Sequence, residues 1–361
     1  MTLDRITLSH FRNHAASRLD GAAHLNLLVG ENGAGKTNVL EALSLLAPGR
    51  GLRRAALTDM AGSGGPGTFA VSAALVSAEG GEPVMLGTGT VADKPRRRIV
   101  QVNGAASSAV GLGEWLAVGW LTPAMDGLFT GSAGDRRRYM DRLALALEPS
   151  HARHATRYEA ALRERNRLLA AEAEPDSQWL DSIEAHLADE GAVVASGRAR
   201  LVERLTMELA ALPEAPFARP TLALAYTGPR DRDGLRREFS RHRTRDRAAG
   251  RAMVGPHRDD LEVVMAGKDA PAASCSTGEQ KAMLIALTLA HAALAAAGRP
   301  GVLLLDEVAA HLDPVRREAL FERLNAGRAQ VWLTGTERAP FGAILGQAAT
   351  WRVSDGQVER L

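Results

Sequence analysis

Apolar runs broken by glycine and proline predict that the first part of the chain alternates between strand and helix. The opening residues have the pattern of strand, turn and strand, and residues 25–29 form a short apolar run that ends at Gly30. In residues 37–47, apolar side chains recur at helical spacing until Pro48 and Gly49 interrupt them. We therefore predict a buried strand followed at once by a helix.

Beyond residue 68 the pattern changes to that of an antiparallel sheet. Residues 69–76, 85–90 and 98–102 are rich in strand-forming side chains, and glycine, proline and Asn-Gly turn signals separate them. Residues 116–121 predict a further strand. Short strands that follow one another with turns between them favour antiparallel pairing.

Residues 131–212 have helical character, because Ala, Leu, Arg and Glu dominate them, and an arginine-dense surface segment follows at 230–251. The last third again alternates, with predicted strands at 302–305 and 330–333 around a helix at 314–324. The chain is thus predicted to be an α/β protein. Its first and last parts, residues 1–125 and 251–361, would form lobe I around a helical insertion, lobe II, at residues 126–250.

Composition restricts the kind of core this fold can have and where in the cell the protein is expected. Apolar residues make up 45% of the 361 residues but aromatic residues only 4%, so the core must consist mainly of Leu, Val and Ala. The one cysteine, Cys275, excludes a disulfide within the chain, and no signal peptide is predicted, so we expect a cytoplasmic protein. The longest uncharged run, residues 282–298, contains Thr288 and His291 and predicts a packed helix, not a membrane span.

The segment between the first strand and helix matches the phosphate-loop pattern G-x-x-x-x-G-K-[ST]. Its glycines would let successive backbone N–H groups point at a phosphate, Lys36 would contact the β- and γ-phosphate oxygens, and the Thr37 hydroxyl would bind Mg²⁺. The pattern predicts an ATP site. The nucleotide-binding candidates here are Gly30, Asn32, Gly33, Ala34, Gly35, Lys36, Thr37 and Asn38.

Two acids follow the predicted strand at 302–305. Asp306 would lie at the carboxyl end of this strand, where open α/β sheets bind ligands, and would hold Mg²⁺. Glu307 is the candidate general base that polarises the attacking water, and with Lys36 it forms the predicted catalytic pair.

A third element distinguishes this chain from a plain phosphate-loop kinase or GTPase. Ser276, Gly278 and Glu279 open a predicted helix in a segment that ends at Lys281, about 25 residues before Asp306, and Asp313 follows the acid pair. A serine and glycine at a helix N-terminus form an anion site. This order matches the signature motif and D-loop of ABC-type ATPases, in which the signature contacts the γ-phosphate held by a partner subunit. We therefore predict an ABC-type ATPase head that works as a homodimer.

The sequence further resembles the RecF family of bacterial recombination and gap-repair ATPases over nearly its whole length. The spacing agrees, since Ser276 lies 239 positions after Thr37, too far for a transporter subunit and too near for the long coiled coil of an SMC protein. Besides the phosphate loop, the matching segments are residues 8–14, 49–53, 131–141, 162–169 and 255–260. The last two of these segments, taken together, are specific to the family.

The resemblance implies a two-lobed ATPase whose dimerisation on DNA depends on ATP. It also implies weak, Mg²⁺-dependent and DNA-stimulated ATP hydrolysis, and cooperation with RecO- and RecR-type mediators in loading a RecA-type recombinase at gaps during repair and replication. By resemblance, Arg12 and Asn13 would lie near the base and ribose, and Ser276 and Gly278 would act on the partner's nucleotide. No Q-loop glutamine follows residue 121, and Thr334-Gly335-Thr336 stands where a switch histidine is expected, so we predict slow turnover.

Three arginine groups could contact DNA phosphates: residues 96–98, 136–138 and 236–251. A run of charges is also typical of a solvated face, and the net charge of +2 gives no global attraction to polyanions. Residues 136–138 could equally pair with acids between the lobes, and His257 could simply make a structural hydrogen bond between them. Two other functions stay open: an energiser of a membrane transporter, and a DNA-bound platform that binds ATP but barely hydrolyses it.

Overall fold

A computed structural model describes residues 1–77, 79–173, 175–213, 215–226 and 228–361. The chain divides into two compact units. Unit 1 contains Met1–Asp126, Leu212–Arg219 and Thr277–Leu361, and unit 2 contains Gly127–Ala211 and Pro220–Ser276. This division differs from the expected one, in which residues 251–276 belonged to lobe I. They lie in unit 2 because the strand Leu261–Met265 pairs with Pro220–Leu224 there.

The elements are numbered along the chain. The strands are β1 (Thr2–Phe11), β2 (His14–Leu19), β3 (Leu25–Val29), β4 (Ala70–Val76), β5 (Val84–Val91), β6 (Lys94–Val102), β7 (Ala105–Ser107), β8 (Ala117–Leu121), β9 (Pro220–Leu224), β10 (Leu261–Met265), β11 (Ala270–Pro271), β12 (Gly301–Leu305), β13 (Gln330–Gly335), β14 (Ala348–Ser354) and β15 (Gln357–Arg360). The helices are α1 (Lys36–Ser44), α2 (Leu57–Met60), α3 (Ala109–Trp115), α4 (Ala133–Leu147), α5 (His151–Leu169), α6 (Ser177–Ala211), α7 (Arg232–Arg241), α8 (Arg243–Ala249), α9 (Thr277–Ala295) and α10 (Pro314–Ala326).

Unit 1 contains a mostly parallel sheet with the strand order β15-β14-β3-β13-β12-β8. Strand β3 lies between β14 and β13 and runs parallel to both, and β12 lies between β13 and β8. All five residues of β3 and of β12 are buried, as expected for parallel strands covered on both faces. The predicted strands at 25–29, 116–121, 302–305 and 330–333 are confirmed.

The predicted antiparallel strands form the second sheet of unit 1, with the order β2-β1-β4-β5-β6-β7. Its core is largely aliphatic and includes Leu3, Ile6, Leu75 and Leu86, in line with the low aromatic content. Helix α1 packs in the same core through Val39, Leu40 and Leu43.

Helix α1 ends at Ser44, three residues before the expected end. The carbonyl groups beyond it point at the half-buried Arg98 on β6, whose guanidinium donates to the carbonyl oxygens of Leu45, Ala47 (3.2 Å) and Gly49 (2.8 Å). Its Nε also donates to the Thr88 hydroxyl at 2.8 Å. A cation at a helix C-terminus satisfies orphan carbonyls and opposes the negative end of the helix dipole. Arg98 is therefore a capping residue of the helix that follows the phosphate loop.

Unit 2 is built on helices α4–α8 and a small antiparallel sheet, β11-β10-β9, which the sequence analysis did not predict. Tyr158, Leu187, Val194, Leu235 and Phe239 form its apolar centre.

A fully buried ion-pair cluster stabilises unit 2. Arg165 donates to Glu184 at 2.9 Å, to Asp246 at 2.7 Å and to the carbonyl oxygen of Phe239 at 2.7 Å. Each of the three guanidinium nitrogens thus has an acceptor, which offsets the desolvation of this buried charge. Across the part of the chain that the structure describes, no helix is both long and apolar enough to cross a membrane.

Candidate functional site

The candidate site of unit 1 lies where three neighbouring parallel strands end. The phosphate loop follows β3, the acid pair follows β12, and Thr334 lies near the end of β13 between them. Because parallel strands bring their carboxyl ends to one edge of the sheet, Thr37 and Asp306 meet here although they are 269 residues apart in sequence.

The phosphate loop has the backbone that its glycines allow. Gly33 and Gly35 have φ values of 84° and 116°, in the left-handed region that disfavours other residues. A side chain at Gly30 would bring its Cβ within 2.1 Å of the Val353 carbonyl oxygen. The Lys36 ammonium donates to the carbonyl oxygens of Gly30 at 2.6 Å and Glu31 at 2.8 Å. Burial lowers the pKa of Lys36, although the nearby carboxylates of Glu307 and Asp306 oppose that shift.

The loop and the acid pair are in direct contact. The Thr37 hydroxyl lies 2.9 Å and 3.1 Å from the two carboxylate oxygens of Asp306. The buried Thr334 hydroxyl donates to Asp306 Oδ1 at 2.8 Å and accepts from the Glu307 backbone N–H at 2.9 Å. Glu307 has a φ of 53°, a strained conformation that this hydrogen bond helps to hold. Thr334 therefore positions both acids.

Thr334 belongs to the segment Thr334-Gly335-Thr336, which drew attention in the sequence only because it lacks a histidine. The signal that could have found it is a hydroxyl residue near the end of a strand predicted to lie beside the acid-bearing strand.

The β1–β2 hairpin holds the outer side of the loop. Asn13 donates to the Ala34 carbonyl oxygen at 3.0 Å and accepts from Asn38 at 2.7 Å. His14 Nε2 lies 3.1 Å from the Gly35 carbonyl oxygen, and its Nδ1 lies 2.8 Å from the Ser17 hydroxyl. Burial lowers the pKa of His14, so the neutral ring is favoured. With these two carbonyls engaged outside, the loop is free to direct N–H groups inward.

Arg12 lies beside α1. It donates to both carboxylate oxygens of the fully buried Glu41, at 2.9 Å and 2.8 Å, and to the Asp59 carbonyl oxygen. Arg53 also pairs with Glu41 and donates to Asn38. The hydrogen bond to Glu41 raises the pKa of Arg12. The structure thus brings Arg12 and Asn13 to the loop and its helix.

The other predicted nucleotide-binding residues lie on different elements. Gly278 and Glu279 are in the first turn of α9, Ser276 directly precedes that helix, and Asp313 caps α10 by accepting from the Arg316 N–H at 3.0 Å. A cavity of about 740 Å³ opens along residues 29–34 of the loop and is also lined by Thr336, Arg338 and Arg352.

Arg136, Arg137 and His257 make the kind of contact predicted as an alternative to DNA binding, but their partners lie within unit 2 and not between the lobes. Arg136 donates to both carboxylate oxygens of Asp260 at 2.7 Å, and Arg137 donates to the Asp259 carbonyl oxygen at 2.7 Å. His257 lies 2.7 Å from the Tyr158 hydroxyl through Nδ1 and 2.9 Å from the Ala252 carbonyl oxygen through Nε2. Burial lowers its pKa to about 4. These side chains hold unit 2 together.

The donor set at the loop fits a magnesium ion with a phosphate ligand. Thr37 and Asp306 offer one hydroxyl and one carboxylate at the same point, and Mg²⁺ is commonly held by one or two such groups together with phosphate and water. No cluster of three or more His, Cys, Asp or Glu residues that could hold a metal by itself occurs among the described residues.

Comparisons with known proteins agree with this geometry. Residues 2–343 match the family model described as the RecF/RecN/SMC N terminal domain. The chain is 46% identical to the DNA replication and repair protein RecF of Mesorhizobium japonicum, over 99% of this chain and 97% of that protein. It is also 46% identical to the protein of the same name from Brucella suis, over 99% and 96%.

Solved structures share the fold. The recombination mediator protein RecF-ATPrS of the RecFOR pathway superposes with a TM-score of 0.87 at 23% identity, covering 99% of this chain and 98% of that one. A Smc head domain from Pyrococcus furiosus superposes with a TM-score of 0.55 at 16% identity, covering 100% and 96%.

Proposed function

The chain belongs to the RecF family, and from that premise we propose that it is a DNA-binding ATPase of DNA replication and recombinational repair that dimerises on DNA when it binds ATP. Slow hydrolysis would then release the dimer. In the cytoplasm, such a dimer would act with RecO- and RecR-type mediators to help load a RecA-type recombinase at single-strand gaps.

One observation carries the ATPase part of this proposal: the contact between Thr37 and Asp306. If the two motifs were only a glycine-rich turn and a pair of solvated acids, this contact between them would not be expected. Here the hydroxyl after the phosphate-loop lysine touches the carboxylate after β12, as a nucleotide site with a divalent cation requires.

Each residue of the site has a proposed role. The N–H groups of residues 32–37 bind the β-phosphate, Lys36 binds the β- and γ-phosphate oxygens, and Thr37 and Asp306 hold Mg²⁺. When bound, Mg²⁺ neutralises phosphate charge. Glu307 accepts a proton from the water that attacks the γ-phosphorus, while the bond from that phosphorus to the bridging oxygen breaks and ADP leaves.

A second set of residues is proposed to act around the nucleotide and across the dimer. Arg12 and Asn13 face the base and ribose, and the pairing of Arg12 with Glu41 supports this by keeping the guanidinium beside α1. Ser276 and Gly278 of the signature motif contact the γ-phosphate bound by the partner. Glu279 of the same motif and Asp313 of the D-loop are the other residues proposed to bind nucleotide there.

The variant Glu307→Gln tests the proposal. It keeps the shape of the side chain but removes the base, so we expect ATP binding to persist and turnover to fall by about 10²–10⁴-fold. The ATP-bound dimer should then persist on gapped DNA in sedimentation experiments. Glu318→Gln on the exposed face of α10 is the matched control, because it makes the same charge change away from the loop. A wild-type chain that stays monomeric with ATP and DNA would contradict the proposed dimer.

Two other outcomes would favour the alternative functions. If Glu307→Gln matches the wild type in dimer lifetime and repair function, hydrolysis is irrelevant and the protein is a DNA-bound platform. If the wild-type chain instead fractionates with membranes and fails to bind DNA, it energises a transporter.

A further inference from the structure

The structure separates the three arginine groups of the chain by what their side chains already contact. Arg98 is engaged with the carbonyl groups after α1. Arg136 is engaged with Asp260, and Arg138 with Asp135. These guanidinium groups have protein acceptors, so binding a phosphate would require them to break existing hydrogen bonds.

The third group contains four exposed arginines without such an acceptor among the described residues, whereas the group on β6 contains only two, Arg96 and Arg97. The side chains of Arg236, Arg237, Arg245 and Arg251 are exposed, and within the described chain they form no hydrogen bond or ion pair. Arg241 is exposed as well and has only a 3.7 Å contact with Glu238. Their charge is therefore directed at solvent.

The packing of α7 fixes the direction of these side chains. Leu235 and Phe239 are fully buried in the centre of unit 2, so the helix cannot rotate. On its other side Arg236, Arg237 and Arg241 line one shallow depression, together with Ser240 and Asp233. The arginines thus lie on a surface that is held in place by a packed helix.

The local charge is much higher than that of the chain as a whole. Residues 232–251 contain eight arginines and three acids, a net charge of +5, whereas the full chain carries +2; two of these arginines, Arg232 and Arg243, pair with acids outside the segment. Arg237 and Arg241 are one helical turn apart, about 6 Å along the axis. Phosphates of one strand rise 3.4 Å each along the duplex axis, so this spacing is close to two such steps, about 7 Å.

We propose that this surface, the arginine face formed by Arg236, Arg237, Ser240 and Arg241, binds the phosphate backbone of duplex DNA. It contacts phosphates and reads no base sequence, since arginine and serine on a solvent-facing helix supply charge and hydrogen-bond donors to any phosphate. The inference rests on the proposed function as a DNA-binding protein and adds to it the site of contact.

The test compares the wild type with the triple variant Arg236→Ala, Arg237→Ala, Arg241→Ala. Binding to a fluorescent 30-base-pair duplex is measured by anisotropy with ATP, at several salt concentrations. Each lost phosphate contact lowers the slope of log K against log salt by about 0.9. We expect the slope to decrease by about 2–3 and the affinity at low salt to fall at least tenfold, equally for two unrelated sequences.

Two double variants are the controls. Arg163→Ala, Arg167→Ala removes exposed arginines of the same unit that pair with helix acids, and Arg96→Ala, Arg97→Ala removes the exposed pair on β6. Both should keep the wild-type slope.

A triple variant with the wild-type slope overturns the inference, as does an equal loss in either control. Loss of binding to polyglutamate with DNA binding intact would also overturn it, because the face would then serve an acidic protein. A wild-type chain that binds no DNA overturns the proposed function itself, and that outcome is seen without any variant.

Discussion

Replacing Arg98 by methionine should destabilise unit 1 strongly while leaving DNA binding intact. The guanidinium makes four hydrogen bonds, three of them to the carbonyl groups that follow α1. At about 1.5 kcal/mol for each hydrogen bond to a charged group, they contribute about 6 kcal/mol. Burial lowers the pKa of Arg98 to about 10, which corresponds to a desolvation cost of about 3 kcal/mol. We therefore expect Arg98→Met to lower the free energy of unfolding by about 3 kcal/mol.

The measurement is urea unfolding followed by tryptophan fluorescence, because four of the five tryptophans lie in unit 1. Arg97→Met is the matched control: the neighbouring side chain is exposed on β6, and its replacement should change stability by less than about 0.5 kcal/mol. If Arg98→Met is as stable as Arg97→Met but binds DNA more weakly, the assignment of Arg98 as a helix cap is wrong.

Two further predictions concern buried hydrogen-bond networks. Thr334→Val removes the hydroxyl that joins Asp306 to the Glu307 backbone, so we expect turnover to fall at least tenfold and the Mg²⁺ requirement to rise while ATP affinity changes little. Thr334→Ser should restore turnover and the Mg²⁺ requirement. A valine variant with normal Mg²⁺ dependence would refute this role. For His257, burial lowers the pKa from 6.5 to about 4, so the unfolded chain takes up the proton first as the pH falls, and stability is complete above pH 6.5 and lost between pH 6.5 and 4. This residue should account for about 2 kcal/mol of the stability lost between pH 7 and pH 5. Urea unfolding at the two pH values measures that loss, and it should be smaller by this amount in His257→Phe. An unchanged loss of stability in the variant would contradict the role given to His257.

Local sequence patterns were sufficient for the elements that define the site. The run at 25–29, the glycines of the loop and the acids after residue 305 each carry their signal within a few residues, and the structure has the corresponding elements. Which neighbours a side chain meets was not predictable in the same way. Arg98 and Arg136 resemble DNA-binding arginines in sequence, and only the fold shows that carbonyl groups and Asp260 already engage them.

The sheet of unit 2 shows the same limit for secondary structure. Strands β9 and β10 are 36 residues apart in the chain, and each is short, so neither carries a hairpin signal. Their pairing also explains why residues 251–276 belong to unit 2. Thr334 was missed for a related reason: its role depends on β13 lying beside β12, which is a property of strand order and not of local sequence.

The position of β3 between β13 and β14 has a consequence for synthesis of the protein on the ribosome. Both partners of β3 come from residues 330–354, so the strand that carries the phosphate loop leaves the ribosome long before anything can pair with it. The antiparallel sheet, in contrast, is complete by residue 107 and can form during translation. At a translation rate of about 5–20 residues per second, β3 stays an unpaired apolar segment for on the order of 15–60 seconds, until residues 330–354 have been made. A chain truncated before residue 330 should therefore aggregate, because it retains the loop but has lost both strands that shield it.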